Sequence, residues 1–121
     1  MQFLCDRPIS EKQLIEYFQE STGVMIASLD FPCEEAELFL FYNRYEGDFP
    51  VGALVGHPQD RPHSIDQEGF CTFLAVRGQC VVLLDMATAD EQYLMITPDG
   101  PSEVVHIQLD GEHISAVRAS R

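Results

Sequence analysis

The fold class this sequence predicts is α+β: one domain with an N-terminal helix packed on a curled, mainly antiparallel meander sheet. Three observations predict it. Helix-start and helix-stop signals flank residues 11–22, the apolar spacing changes from helical to strand-like after Gly23, and the second half is divided by short turn signals at strand-length intervals. A chain of 121 residues can enclose a single core. The net charge of −13 would favour disorder in an aromatic-poor chain, but eight Phe, four Tyr and abundant branched aliphatics offset the chain entropy.

The first element is the helix. Ser10 stands where an N-cap belongs, Gln13 three residues later can reciprocate as in a capping box, and Ile9 is placed to staple onto Leu14. Leu14, Ile15 and Phe18 make the apolar stripe, Glu16 and Glu20 point outward, and Gly23 supplies a left-handed stop. Strands are then expected over 24–29, 37–45 and 49–55, with Glu46-Gly47-Asp48 as a turn. The middle segment could open as a helix at Glu34-Glu35-Ala36-Glu37, but the aromatic run from Leu38 to Tyr42 favours strand. Residues 56–69 are polar, carry Pro58 and Pro62, and predict an irregular loop. Two hairpins follow, strands 70–76 and 79–86 around Arg77-Gly78 and strands 104–109 and 112–117 around Asp110-Gly111. Between them lies a strand over 93–97 that Pro98-Asp99-Gly100-Pro101 closes.

With a two-residue turn at Asp110-Gly111, His106, Gln108, His113 and Ser115 share one face, and Val105, Ile107, Leu109, Ile114 and Ala116 share the other. His106 and His113 would then be diagonal neighbours roughly 7–8 Å apart. A loop pair, His57 and His63, stands with Asp60 and Asp66 three residues after each His. Neither pair has a third spaced ligand or a nucleophile beside it, so no metal, cofactor or catalytic residue is assigned, and the chain is not read as an enzyme. The four cysteines, Cys5, Cys33, Cys71 and Cys80, lack CxxC spacing and read as reduced, buried thiols. In the expected hairpin, Cys71 and Cys80 fall roughly 13 Å apart, beyond disulfide reach. Gly47, Gly52 and Gly56 are followed by no Lys-Ser/Thr ending, which argues against a phosphate loop.

The charge distribution is the strongest functional signal. The stretches 13–43 and 78–117 contain no Lys or Arg and hold thirteen of the twenty acidic residues. Such a field repels nucleic acid and steers basic partners. Two clusters are the candidate partner-binding residues: Asp30, Glu34, Glu35 and Glu37, and Asp85, Asp90 and Glu91. The N-terminus carries no basic leader with an apolar run, and no segment has the length of a membrane span, so a cytoplasmic location is expected.

In size, acidity and lack of catalytic motifs, the chain is similar in profile to the bacterial immunity proteins that neutralise secreted polymorphic toxins, although no motif is matched. That resemblance implies stoichiometric inhibition of a basic protein partner, with no direct nucleic-acid or membrane binding. Three alternatives stand beside it. A type III secretion chaperone would need a second long helix and a closing C-terminal helix. A small-molecule-binding barrel could be lined by Phe70, Phe73, Leu74, Val82 and Leu84, and a phage-type inhibitor could imitate nucleic acid with rows of carboxylates.

Overall fold

A computed structural model describes residues 1–57, 65–87, 92–110 and 113–118, with 108–110 and 113–118 described by their backbone alone. Among these described residues, two helices pack against one mixed, unclosed sheet. The chain runs β1 (Gln2–Cys5), α1 (Glu11–Thr22), β2 (Ile26–Ala27), β3 (Leu38–Arg44), β4 (Glu46–Gly47), β5 (Val51–Gly56), α2 (Gln67–Gly78), β6 (Val82–Asp85), β7 (Gln92–Thr97), β8 (Gly100–Asp110) and β9 (His113–Arg118). Strand order is β2-β3-β5-β1-β6-β7-β8-β9-β4, antiparallel except at the two-residue end strands β2 and β4. Only Tyr45 separates β3 from β4, although the two lie on opposite arms of this order. The sheet must therefore curl strongly enough to bring β9 round to the end of β3.

Helix α1 has the bounds and caps that its sequence specifies. The Ser10 hydroxyl accepts from Gln13 N, the Gln13 carboxamide accepts from Ser10 N, and Gly23 closes the helix in the left-handed region. Leu14, Ile15 and Phe18 are its buried face. The expected strands at 37–45, 49–55 and 93–97 appear as β3, β5 and β7, while that at 24–29 contracts to Ile26–Ala27. There the chain leaves the sheet in a turn closed by Ser28 and Phe31, whose backbone groups bond each other at 3.1 and 3.2 Å.

The expected strand at 70–76 is instead helix α2, and the hairpin at Arg77-Gly78 does not form. Asp66 caps the helix by accepting from Gly69 N at 3.0 Å, and Gln79 ends it in the left-handed region. A strand would divide this apolar run between two faces and need both kept dry. The helix gathers Phe70, Cys71, Leu74 and Ala75 on one stripe. Phe70 then sits edge-on to Phe3 and Phe18, with ring centroids 5.7 and 5.0 Å away. Phe70, Phe73 and Leu74 therefore sit on a helix over the sheet rather than on strands lining a barrel.

Strand β1, which composition and turn signals did not indicate, is central to the sheet. It lies between β5 and β6, its Phe3, Leu4 and Cys5 are all buried, and the N-terminal amine bonds Val55 O at 3.1 Å. The main core fills the space between the helices and one sheet face. The curl encloses a second core on the opposite face, where Leu4, Phe49, Leu83, Tyr93 and Val105 pack with Tyr45.

The β8–β9 register also differs from expectation. Asp110 pairs with His113, so β8 continues through a residue assigned to the turn, and His106 lies opposite Val117. His106 and His113 are four positions apart along the ladder, roughly 13 Å, so they are not diagonal neighbours. For the chaperone alternative, the second helix is α2 rather than residues 34–44, and residues 113–118 are strand. Among the described residues, no helix is long and apolar enough to cross a membrane.

Candidate functional site

The first acidic cluster lies on the 28–37 connection between β2 and β3. The Ser28–Phe31 turn and a Cys33–Ala36 turn hold this segment at the surface, and Asp30, Glu34, Glu35 and Glu37 are all exposed. Beside them is an apolar patch of a kind soluble domains usually cover: Leu29 is 94% exposed, Phe39 48%, Phe41 52% and Leu54 44%. The cause lies in the strand alternation. Leu38 and Leu40 point into the main core, so Phe39 and Phe41 must face the other way, beyond the region that the second core covers.

The register shows how far this face extends. Phe41 pairs with Leu54 and Leu54 with Gln2, while the Phe3–Leu84 pair places Gln2 beside Asp85. At roughly 4.8 Å per strand, Asp85 lies about 14 Å across the sheet from Phe41. Asp85, from the second predicted cluster, thus stands on the same face as the aromatic patch. It is half-buried, and its carboxylate accepts from Ala87 N at 2.7 Å. Asp90 and Glu91 lie outside the described residues. The patch adjoins a mostly apolar cleft of about 480 Å³ lined by Leu29, Cys33, Glu34 and Phe39, among others.

The imidazole and thiol candidates are placed differently. His57 is exposed at the end of β5, and Asp66 serves as the α2 N-cap; Asp60 and His63 lie outside the described residues. Among the described residues, no group of three or more His, Cys, Asp or Glu side chains is placed to share a metal ion.

With no hairpin at Arg77-Gly78, the 13 Å separation expected for Cys71 and Cys80 no longer applies. Cys5, Cys71 and Cys80 are all free, buried thiols of the main core. A side-chain hydrogen bond to Cys80, with burial, raises Cys5 well above the ordinary thiol value. Burial pushes the Cys71 thiol up to about 12. Both are therefore protonated near neutrality, which suits packing and not nucleophilic attack. Cys33 is half-exposed.

Sequence reasoning found the acidic cluster through its charge. It missed that the neighbouring aromatics are exposed, because Leu38 to Tyr42 reads as a uniformly apolar run whose outward half can be identified only once its partner strands are known. No protein-family model, curated protein or solved structure matches this chain.

Proposed function

We propose that this chain is an acidic binding protein that neutralises a basic polypeptide by stoichiometric docking, in the manner of an immunity protein acting on a secreted toxin. The observation that carries this reading is the juxtaposition of exposed Asp30, Glu34, Glu35 and Glu37 with the exposed Leu29, Phe39, Phe41 and Leu54 face. Carboxylates at a rim accelerate encounter and set the partner's sign, whereas aromatic area at the centre supplies affinity. Phe39 and Phe41 point away from the main core, and like charges on one short surface segment are a cost that a cationic partner lowers. A second copy of the chain is a poor partner, since pairing two such faces brings both acidic rims together.

The test begins with immobilised protein. A retained partner is identified, purified and titrated against the wild-type chain and an Asp30→Lys, Glu34→Lys, Glu35→Lys variant at about 50 mM and about 300 mM salt. The wild-type affinity should fall with salt, and the variant should lose at least about tenfold at low salt and much less at high salt. Equal affinities of the two proteins at both salt concentrations would remove this cluster from the interface.

A further inference from the structure

We propose that the partner docks by adding a β-strand to the free edge of β3, the incoming segment carrying basic side chains on one face and apolar ones on the other. This inference rests on the binding reading above and specifies how the contact is made.

The edge follows from the ladder. Val55 bonds Met1 through both its N–H and its C=O, so Val55, Ala53 and Val51 direct their backbone groups toward β1. Gly56, Leu54 and Gly52 then face β3 and serve Phe39, Phe41 and Asn43. By the same alternation Leu38, Leu40, Tyr42 and Arg44 direct theirs away from β5, toward β2. Strand β2 pairs only with Leu38 and Phe39 before the chain turns off at Ser28. Beyond that point the edge groups of Tyr42 have no backbone partner among the described residues. Because Phe39 directs its groups to β5, the parallel Ala27–Phe39 pair is bonded through Leu38 and the Leu40 N–H, and the unpaired edge runs from the Leu40 carbonyl to Arg44, roughly 13 Å of strand.

A slot already borders that edge. A cleft of about 260 Å³ has Leu40, Phe41, Tyr42 and Asn43 on one side and Glu11, Leu29 and Asp30 on the other. Tyr42 is held to the helix-bearing face by its hydroxyl, which donates to Ile9 O at 2.6 Å. Glu11, at the start of α1, belongs to that face. A strand in the slot therefore turns alternate side chains toward Glu11 and Asp30, where Lys or Arg is favoured. The intervening ones turn toward exposed Phe41 and Leu54, where Val, Ile or an aromatic is favoured. Arg44, at the far end, donates to the Tyr42 hydroxyl at 3.1 Å and leaves the acidic end as the one that selects charge. Main-chain pairing with alternate side-chain pockets is an established mode of peptide capture, and an uncovered edge of this length is one that proteins ordinarily block.

The probe is a seven-residue peptide of alternating valine and lysine, titrated into the full chain. Two further versions are N-methylated, one on every lysine and one on every valine. In a strand only one of these sets presents its N–H groups to β3. One methylated peptide should therefore lose at least about tenfold in affinity while the other stays within about threefold of the parent; loss on the lysine set marks antiparallel addition and loss on the valine set parallel addition. Methylated peptides that behave alike, with the parent still bound in a salt-sensitive way, would overturn edge docking and leave the acidic-face reading standing. A parent peptide that does not bind at millimolar concentration would also overturn edge docking, and the charge-reversal titration then decides the broader reading separately.

Discussion

Replacing Gly52 with alanine opposes two rules of thumb, and the structure decides between them. A glycine in a strand interior costs roughly 0.5–1 kcal/mol relative to alanine, so Gly52→Ala should stabilise β5 on that ground alone. An added methyl, however, would lie 2.5 Å from Cε2 of Tyr45 and 3.0 Å from Cδ2 of Leu4. Ordinary carbon contacts are about 3.5–4.0 Å, so the Tyr45 ring must retreat by roughly 1 Å or more. That ring closes the second core over Leu4, Phe49, Leu83, Tyr93 and Val105. Overpacking of this kind costs about 1–3 kcal/mol, which outweighs the entropic gain. Urea unfolding followed by circular dichroism should show a lower midpoint at unchanged slope. The Tyr45→Ala and Gly52→Ala double variant should be less destabilised than the two single losses added together, because the clash is gone. A neutral or stabilised Gly52→Ala protein would refute the placement of Tyr45 against β5, and with it the curl that makes the second core.

Other expected outcomes follow from named contacts. Ser10→Ala removes the acceptor for Gln13 N and should cost about 1 kcal/mol in the same unfolding assay, whereas Ser10→Asp should retain most of the stability. Phe70→Ala empties the contact between Phe3 and Phe18 and should cost about 3–5 kcal/mol, while Phe41→Ser, at a half-exposed position, should cost under about 1.5 kcal/mol. Alkaline stability should report Cys71. The unfolded thiol ionises near its ordinary value but the folded one keeps its proton up to about 12, so the folded state holds the extra proton in between and stability falls as pH rises through that window. The contribution of Cys71 to that fall is at most about 1.4 kcal/mol per pH unit, and Cys71→Ala should flatten the profile above pH 9 relative to wild type.

What could be read from the chain divides by how local the signal is. Helix α1 was legible to the residue because each end is set locally, Ser10 with Gln13 inside the first turn and Gly23 with Gln19 at the last. Strands β3, β5 and β7 were legible from composition. Helix α2 was not, because Thr72, Phe73 and Val76 interrupt the stripe of Phe70, Cys71, Leu74 and Ala75 and give the run a strand-like composition. Asp66 with Glu68, and Arg77 in the last turn, were the available helix signals. Strand β1 was hidden because four residues carry almost no periodicity, and its central place depends on partners fifty and eighty residues away. The acidic cluster could be found from charge alone. Its relation to Phe41, Leu54 and Asp85 is a property of cross-strand register, which no local pattern encodes.

The most direct test of the proposed face is amide hydrogen exchange of the full chain with and without its purified basic partner. The account predicts slowed exchange confined to residues 28–44 and the exposed end of β5 around Leu54, with the largest change at Tyr42, whose N–H the added strand would cover. Slowing confined instead to the open cleft where Ser21 and Thr22 of α1 meet Gly69, Phe70 and Phe73 of α2, with residues 28–44 unchanged, would contradict it.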